Sequence, residues 1–430
     1  MFKDIAFYLF AMIAIINTIH FGIYIAGANL YDIKQFFRKR KISKTIRRKY
    51  RPLVTIIVPA HNEEVGIIKT LESIRKNSYR KLQILVVDDA SSDATRSLVW
   101  RYIQLHPNRN IHLLRKQKNV GKGEAMNHAL KTAATGELMM SLDADSIIDK
   151  NAISNAVRHF EDPRIVGMAA NVQIMDNGTL LGLLQKFEHM IGYRSKKFYT
   201  LTNSEFIIGG VASTYRMDII KKAKFYDTDT QTEDIGLSLK IVSSGNINQR
   251  IIYAADVLAI TEGVQSYKSL FIQRYRWKLG MLQNLVKHGS LLLNNDEKYS
   301  RMLTLYRLPM ALFGELVLLI EPILLVYIIY LSIAKAYPFA LLGAYVAITL
   351  YVLWTVWPDE HMPNREKMRM SLYSPIMYFI FYVMNVVQLT SILRCIKNNK
   401  KFYAKLIQEA RGYLPNEQLP KSALKTTKYI

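Results

Sequence analysis

The sequence has a single cysteine, Cys395, among 430 residues. That excludes an intramolecular disulfide and any zinc site built from clustered thiolates. Lying inside an apolar stretch, the lone thiol reads as a small packing residue. Acids are scarce too: 34 Asp and Glu stand against 58 Lys and Arg, a formal charge of +24. The imbalance is largely local. Residues 34–51 (KQFFRKRKISKTIRRKYR) contain no acid at all, and the tail from Lys397 is also basic. Neither a helix-turn-helix nor an RNA-binding signature is present, and both basic runs border apolar sequence. The charge therefore reads as membrane flanking, drawn to the cytosolic side and to anionic headgroups. No nucleic-acid partner is expected.

What is abundant is apolar sequence, half of all residues. It concentrates in the first 30 residues and again beyond residue 302. Residues 5–28 are long enough to cross a bilayer at roughly 20 residues per span. Ala26-Gly27-Ala28 resembles a signal-peptide cleavage site. The length of the apolar run, the lone Lys3 before it and the basic run after it favour an uncleaved anchor instead. Residues 303–334, 338–357 and 375–396 are expected to supply three further spans, with Trp354 and Trp357 as interfacial anchors. The first of these is interrupted by Arg307, Glu315 and Glu321-Pro322. Three crossings after a cytosolic domain would put the basic tail outside, against the charge rule. Part of 303–334 lying in the interface, one stretch crossing twice, or a tail that breaks the rule would each account for this. The expected partition is an N-terminal transmembrane helix (1–30), a basic linker (31–51), a cytosolic domain (52–290), interfacial and transmembrane helices (291–396) and a basic tail (397–430). That describes a multi-pass protein of the cell membrane.

The middle of the chain alternates strands with helices. Residues 53–58 (LVTIIV), 82–87 (LQILVV), 111–114 and 138–142 are short runs of strand character. Segments such as 65–73 and 125–132 carry apolar positions at helical spacing. Such alternation predicts an α/β, Rossmann-like domain with a mainly parallel sheet, whose ligands sit beyond the carboxyl ends of the strands.

Chemistry-bearing residues follow those ends. Asp88 and Asp89 sit side by side after the second strand, and adjacent carboxylates cost free energy unless a cation or donor offsets them. Ser91, Ser92 and Asp93 suit a turn and a helix cap. Residues 119–127 (NVGKGEAMN) place glycines and Lys122 before a helix, an arrangement that suits phosphate oxygens. It is not a Walker A loop. Asp143 and Asp145, one residue apart after a buried strand, can both face a divalent cation. Mg²⁺ or Mn²⁺ takes carboxylate and phosphate oxygens together. In residues 231–234 (QTED), Thr232 is a cap candidate, Glu233 suits the first helical turn, and Asp234 is a general-base candidate. Residues 273–277 (QRYRW) join an amide, fixed cations and an aromatic face. An interfacial Arg/Trp anchor would look the same.

Taken together these motifs resemble the family 2 inverting glycosyltransferases of GT-A fold, over about residues 50–290. The likeness is greatest to membrane-integrated processive synthases of the poly-N-acetylglucosamine, chitin and hyaluronan type. The resemblance implies roles residue by residue. Pro59, His61, Glu63 and Asp89 would bind the nucleoside, with Asp89 facing uracil. Lys122 would lie near the nucleotide sugar. Asp143 and Asp145 would hold the diphosphate and its Mg²⁺ or Mn²⁺. Asp234 would be the catalytic base, with Glu233 beside the acceptor. Gln273, Arg276 and Trp277 would line the acceptor mouth and the diphosphate. Gly209 and Gly210, in residues 206–215 (FIIGGVASTY), fall where the family has an acceptor-binding loop with one glycine beside Ser, Cys or Pro. The implied partners are a UDP-sugar, a saccharide acceptor, the bilayer and a small membrane accessory subunit. The implied sugar is N-acetylglucosamine. A lipid acceptor, polyprenyl phosphate or diacylglycerol, is the alternative, and intact QRYRW favours the saccharide. A non-catalytic membrane subunit would be expected to have lost one of Asp143, Asp145 or Asp234, and none is lost.

Overall fold

A computed structural model describes residues 2–43, 50–175, 178–334, 338–359 and 362–398. The basic tail from residue 399 and the basic stretch 44–49 lie outside the described residues.

After α1 (Phe2–Ser43), the alternating pattern of the sequence becomes β1 (Val54–Ala60), α2 (Ile67–Arg75), β2 (Leu82–Asp89), α3 (Thr95–Leu105), β3 (Ile111–Lys116), α4 (Lys122–Thr132) and β4 (Leu138–Ser141). There follow β5 (Ile147–Ile148), α5 (Ala152–His159), β6 (Ile165–Ile174), α6 (Leu180–Leu201), β7 (Ser213–Arg216), α7 (Met217–Lys222), α8 (Glu233–Ser243), β8 (Arg250–Thr261) and α9 (Tyr267–Lys287). The eight strands form one sheet in the order β3-β2-β1-β4-β7-β6-β8-β5. Strands β3, β2, β1 and β4 run parallel, as the sequence predicts. Strand β7 then enters antiparallel to both β4 and β6, and β6 pairs in parallel with β8. The sheet is therefore mixed, although mostly parallel.

Both faces are covered, which is why its strands read as unbroken apolar runs. Along β1 the side chains alternate between two cores. Ile56 and Val58 join Ile67, Leu71 and Val99 on one face. Ile57 joins Leu85, Met126 and Leu237 on the other. A one-residue slip would turn each set onto the wrong layer, so register is tightly set. Registration starts at a polar knot: the Thr55 hydroxyl donates to Gln83 Oε1 at 2.7 Å and accepts from the Gly136 N–H at 2.8 Å.

The helix α1 extends well past the expected end at residue 30, and residues 29–32 dock on α6 rather than forming a linker. Arg194 Nη2 donates to Asn29 Oδ1 at 2.9 Å, and Lys197 Nζ to Asp32 Oδ1 at 2.6 Å. The Tyr31 hydroxyl donates to the Tyr253 carbonyl at 3.1 Å. At the other end, α10 (Leu308–Ala334), α11 (Pro338–Val356) and α12 (Asn364–Asn398) follow a π-helical turn at Met302–Arg307. Among the described residues two helical stretches, Tyr8–Phe37 and Met302–Tyr327, are long and apolar enough to cross a membrane. Three C-terminal spans were expected, with the number of crossings left open. The second corresponds to α11, an apolar helix of 19 residues, Pro338–Val356. The third is broken by a 66° bend between Asn364–Met377 and Tyr382–Lys397, and counts as one span at most. The interrupting carboxylates are paired: Glu315 with Lys278 at 2.6 Å, and Glu321 with the Asn385 amide at 2.6 Å.

Two glycine substitutions are expected to act in opposite directions. A Cβ at Gly136 would lie 2.6 Å from the Thr55 backbone nitrogen, so Gly136→Ala forces the β1 start apart. We expect a loss of about 1–3 kcal/mol. Gly192, inside α6, has nothing within 4 Å of an added Cβ. Gly192→Ala is expected to raise stability by about 0.5–1 kcal/mol through helix propensity. Thermal melting of the solubilised protein checks both signs.

Candidate active site

The carboxyl edge of the sheet gathers most of the residues singled out in the sequence. Strands β1 and β2 end in loops that are stitched together. His61 Nδ1 pairs with the Asp89 carbonyl at 2.8 Å. The Glu63 N–H donates to Thr95 Oγ1 at 2.7 Å, and the Ser92 N–H to Asn62 Oδ1 at 2.8 Å. Asp93 serves the start of α3 by accepting from the Thr95 N–H and hydroxyl, at 3.0 and 2.6 Å.

The adjacent aspartates are each met by backbone donors. Asp88 Oδ1 accepts from the Ser91 N–H at 3.0 Å. Asp89 is 4% exposed, and its carboxylate takes the N–H groups of Val120 and Gly121 at 2.8–3.1 Å. Gly121 has φ +87°, a conformation L side chains rarely adopt, which is why glycine stands there. Asp89 therefore organises the Gly121 loop. Two of the N–H groups expected to meet phosphate are already occupied by this carboxylate.

The centre of the site is an ion pair. Lys122 Nζ lies 2.5 Å from Asp143 Oδ1, both side chains one-third exposed. Burial disfavours the lysine charge, but Asp143, then Glu233 and Asp234, outweigh it and hold the ammonium above its usual range. Ala144, between the two aspartates, has its carbonyl pinned by the Thr70 hydroxyl at 2.7 Å. Asp145 Oδ1 accepts from the Ser146 hydroxyl at 3.0 Å and from Thr261 at 3.4 Å. Burial and then Asp143 push the Asp145 carboxyl upward. Glu63 rises to about 7, through burial and then the charges of Asp145 and Asp143.

Asp234, in the first turn of α8, accepts from the Ile235 N–H at 2.8 Å. Burial, then Glu233, raises its pKa, while Lys122 and the Ile235 N–H pull it down. Gly210 closes the cluster, because a Cβ there would overlap Lys122 Nζ and lie 3.7 Å from Asp234 Oδ2. Gly209 has nothing within 4 Å of an added Cβ. Thr232 does not cap α8 with its side chain: its hydroxyl accepts from Asn284 Nδ2 at 3.1 Å, locking α9 onto the loop before Asp234.

The structure thus brings Glu63, Lys122, Asp143, Asp145, Gly210, Glu233 and Asp234 together. Residues 273–277 lie on α9. Trp277 is 41% exposed and Arg276 is exposed. The buried arginine is its neighbour Arg274, which pairs with Glu188 and lies over the Trp277 ring at 4.2 Å. Sequence reasoning missed Arg274, Glu188 and Thr70, whose partners lie 86 and 74 residues away and leave no local pattern.

The donor set fits a divalent cation. Glu63 and Asp145 are pushed toward their neutral forms by burial and then by neighbouring carboxylate charge. A cation would relieve that repulsion. Among the described residues no group of three or more His, Cys, Asp or Glu side chains is placed to hold a metal ion, so Asp143 and Asp145 would be the protein's own donors. Oxygen ligands from a bound phosphate and water would therefore have to complete the shell, as hard cations accept.

Residues 55–223 match the family model described as Glycosyl transferase family 2. The poly-β-1,6-N-acetyl-D-glucosamine synthase of Staphylococcus aureus (strain COL) is 30% identical over 230 residues, 53% of this chain and 54% of the relative. That of Staphylococcus epidermidis is 28% identical over the same shares. The chain spans about half the length of the curated relatives it matches. Among solved structures, the mannosyltransferase PcManGT from Pyrobaculum calidifontis aligns with a TM-score of 0.51 at 23% identity, covering 85% of this chain and 98% of that one. Residues 55–223, which carry most of these strand ends, thus match a glycosyl transferase family 2 model, and the sheet shares the fold of PcManGT.

Proposed function

We propose that the chain is a membrane glycosyltransferase that moves N-acetylglucosamine from a UDP-sugar to a saccharide acceptor with inversion, building a polysaccharide. The observation that carries this reading is the convergence of Lys122, Asp143, Gly210 and Asp234 at one edge of the sheet. The names of the staphylococcal relatives support the sugar and the product. The helical stretches Tyr8–Phe37 and Met302–Tyr327 support insertion in the bilayer, and the basic flank of α1 supports a cytosolic side for the domain.

Asp234 accepts the proton of the acceptor hydroxyl. The oxygen then forms a bond to the anomeric carbon as the bond from that carbon to the diphosphate oxygen breaks, and UDP leaves. Lys122 faces the negative charge that develops on the leaving group, exchanging part of its contact with Asp143 for phosphate oxygen. Gly210 lets the acceptor-side loop approach both groups closely. Asp145, assisted by Asp143, would hold the divalent cation, Mg²⁺ or Mn²⁺; PcManGT is described in complex with GDP-Man and Mn²⁺. That ion would supply charge neutralisation at the diphosphate.

Asp234→Asn is expected to lower UDP release from UDP-N-acetylglucosamine at least about 10²-fold, with UDP binding unchanged. Unchanged turnover would sink the assignment. Because burial raises the Asp234 pKa, the base form is lost as pH falls through that raised value. The acid limb of kcat/KM should therefore lie above the ordinary aspartate range. Lys122→Gln removes a charge that lowers the Asp234 pKa, so the limb should move to higher pH while the rate falls. A pH–rate series on the two proteins measures this. Gly210→Ala should lose activity about tenfold or more, whereas Gly209→Ala should retain it. Sizing the product distinguishes a ladder of polymer lengths from a single glycolipid.

A further inference from the structure

Arg274 is one of the most deeply buried charges outside the carboxylate cluster, 2% exposed, and the reaction described above does not use it. Its guanidinium is held from three sides. One amino group pairs with the Glu188 carboxylate, and the other donates to Gln273 Oε1 at 2.5 Å. The plane itself lies over the indole of Trp277, its central carbon 4.2 Å from the ring centroid. Arg274 and Trp277 are three residues apart on α9, so they share one helix face. The second Glu188 oxygen accepts from Gln388 Nε2 of α12 at 3.4 Å. His189, next to Glu188, brings its ring to 6.4 Å from Trp277. A chain of polar contacts thus runs from α12, through α6, to one tryptophan that is 41% exposed.

An ion pair with one partner buried and the other only one-quarter exposed is an expensive way to join two helices, since apolar residues of equal size can hold as well. What it provides that apolar packing would not is a fixed plane. A guanidinium clamped at three points allows one stacking geometry, and its charge strengthens the contact with the indole face. We propose that Glu188 and Arg274, braced by Gln388, are positioning residues that set the indole of Trp277 as a rigid platform for the saccharide acceptor. The inference rests on the functional reading above, because it needs a saccharide to stack there.

The test uses the full-length enzyme in membranes, UDP-N-acetylglucosamine and a β-1,6-linked N-acetylglucosamine pentamer as acceptor, with UDP release followed. Glu188→Gln and Arg274→Lys should each raise the acceptor KM about tenfold while the donor KM stays within about twofold. Gln388→Leu, an apolar replacement in α12 that removes no charge, should raise the acceptor KM about threefold in a folded protein. Loss confined to kcat, or an equal rise in donor KM, would overturn the proposal. A second readout needs no turnover: with Trp100, Trp354 and Trp357 replaced by Phe, acrylamide quenching of Trp277 should increase in Arg274→Lys and Gln388→Leu. Unchanged quenching overturns the positioning role even if the enzyme is active. If the wild type releases no UDP with this pair but quenching responds as stated, it is the substrate reading that falls and the clamp on Trp277 that stands.

Discussion

The site is governed by an excess of negative charge at one edge of the sheet and by the lysine that tempers it. Burial, and then the charges of neighbouring carboxylates, raise the proton affinity of Glu63, Asp145 and Asp234, and Lys122 is drawn into contact with Asp143 among them. The backbone is built to tolerate this crowding. Thr70 pins the peptide between Asp143 and Asp145, Asn284 fixes the loop before Asp234, and Gly210 leaves room for the ammonium. Repulsion that packing has to hold in check is a store of free energy, released when a cation and a polyanion enter together.

Much of this was legible in the sequence, for a physical reason. Buried parallel strands read as apolar runs, and their ends must carry whatever polar chemistry the fold presents. The strands of the first half and the residues after them followed from that. What escaped depends on contacts between distant segments. Nothing near Asp89 reveals that its carboxylate is consumed by the Gly121 loop, since the donors come from beyond the next strand. Residues 273–277 contain two arginines in alternation, and only burial against α6 decides that Arg274 is the one clamped inside. The antiparallel entry of β7 was likewise invisible, because a strand of four residues carries too little periodicity.

The membrane part shows a similar limit. Hydropathy marked the apolar stretches, yet it treats each as a straight rod. The 66° bend in α12 is a matter of geometry that hydropathy does not carry. Glu315 and Glu321, which looked like interruptions, are instead points of attachment to Lys278 and Asn385. Polar groups in apolar surroundings find partners because leaving them alone is costly.

The docking of α1 on α6 has a mechanical consequence. Asn29 and Asp32 lie about two-thirds of the way along a helix of 42 residues, which at 1.5 Å per residue is about 63 Å long. With Arg194 and Lys197 gripping it there, α1 and the sheet domain move as one body. The remote end of α1 is then the tip of a lever with an arm of roughly 40 Å. A rocking of the domain by only a few degrees sweeps that tip through some ångströms, so small adjustments around the sheet edge and the tilt of the first helix are a single degree of freedom.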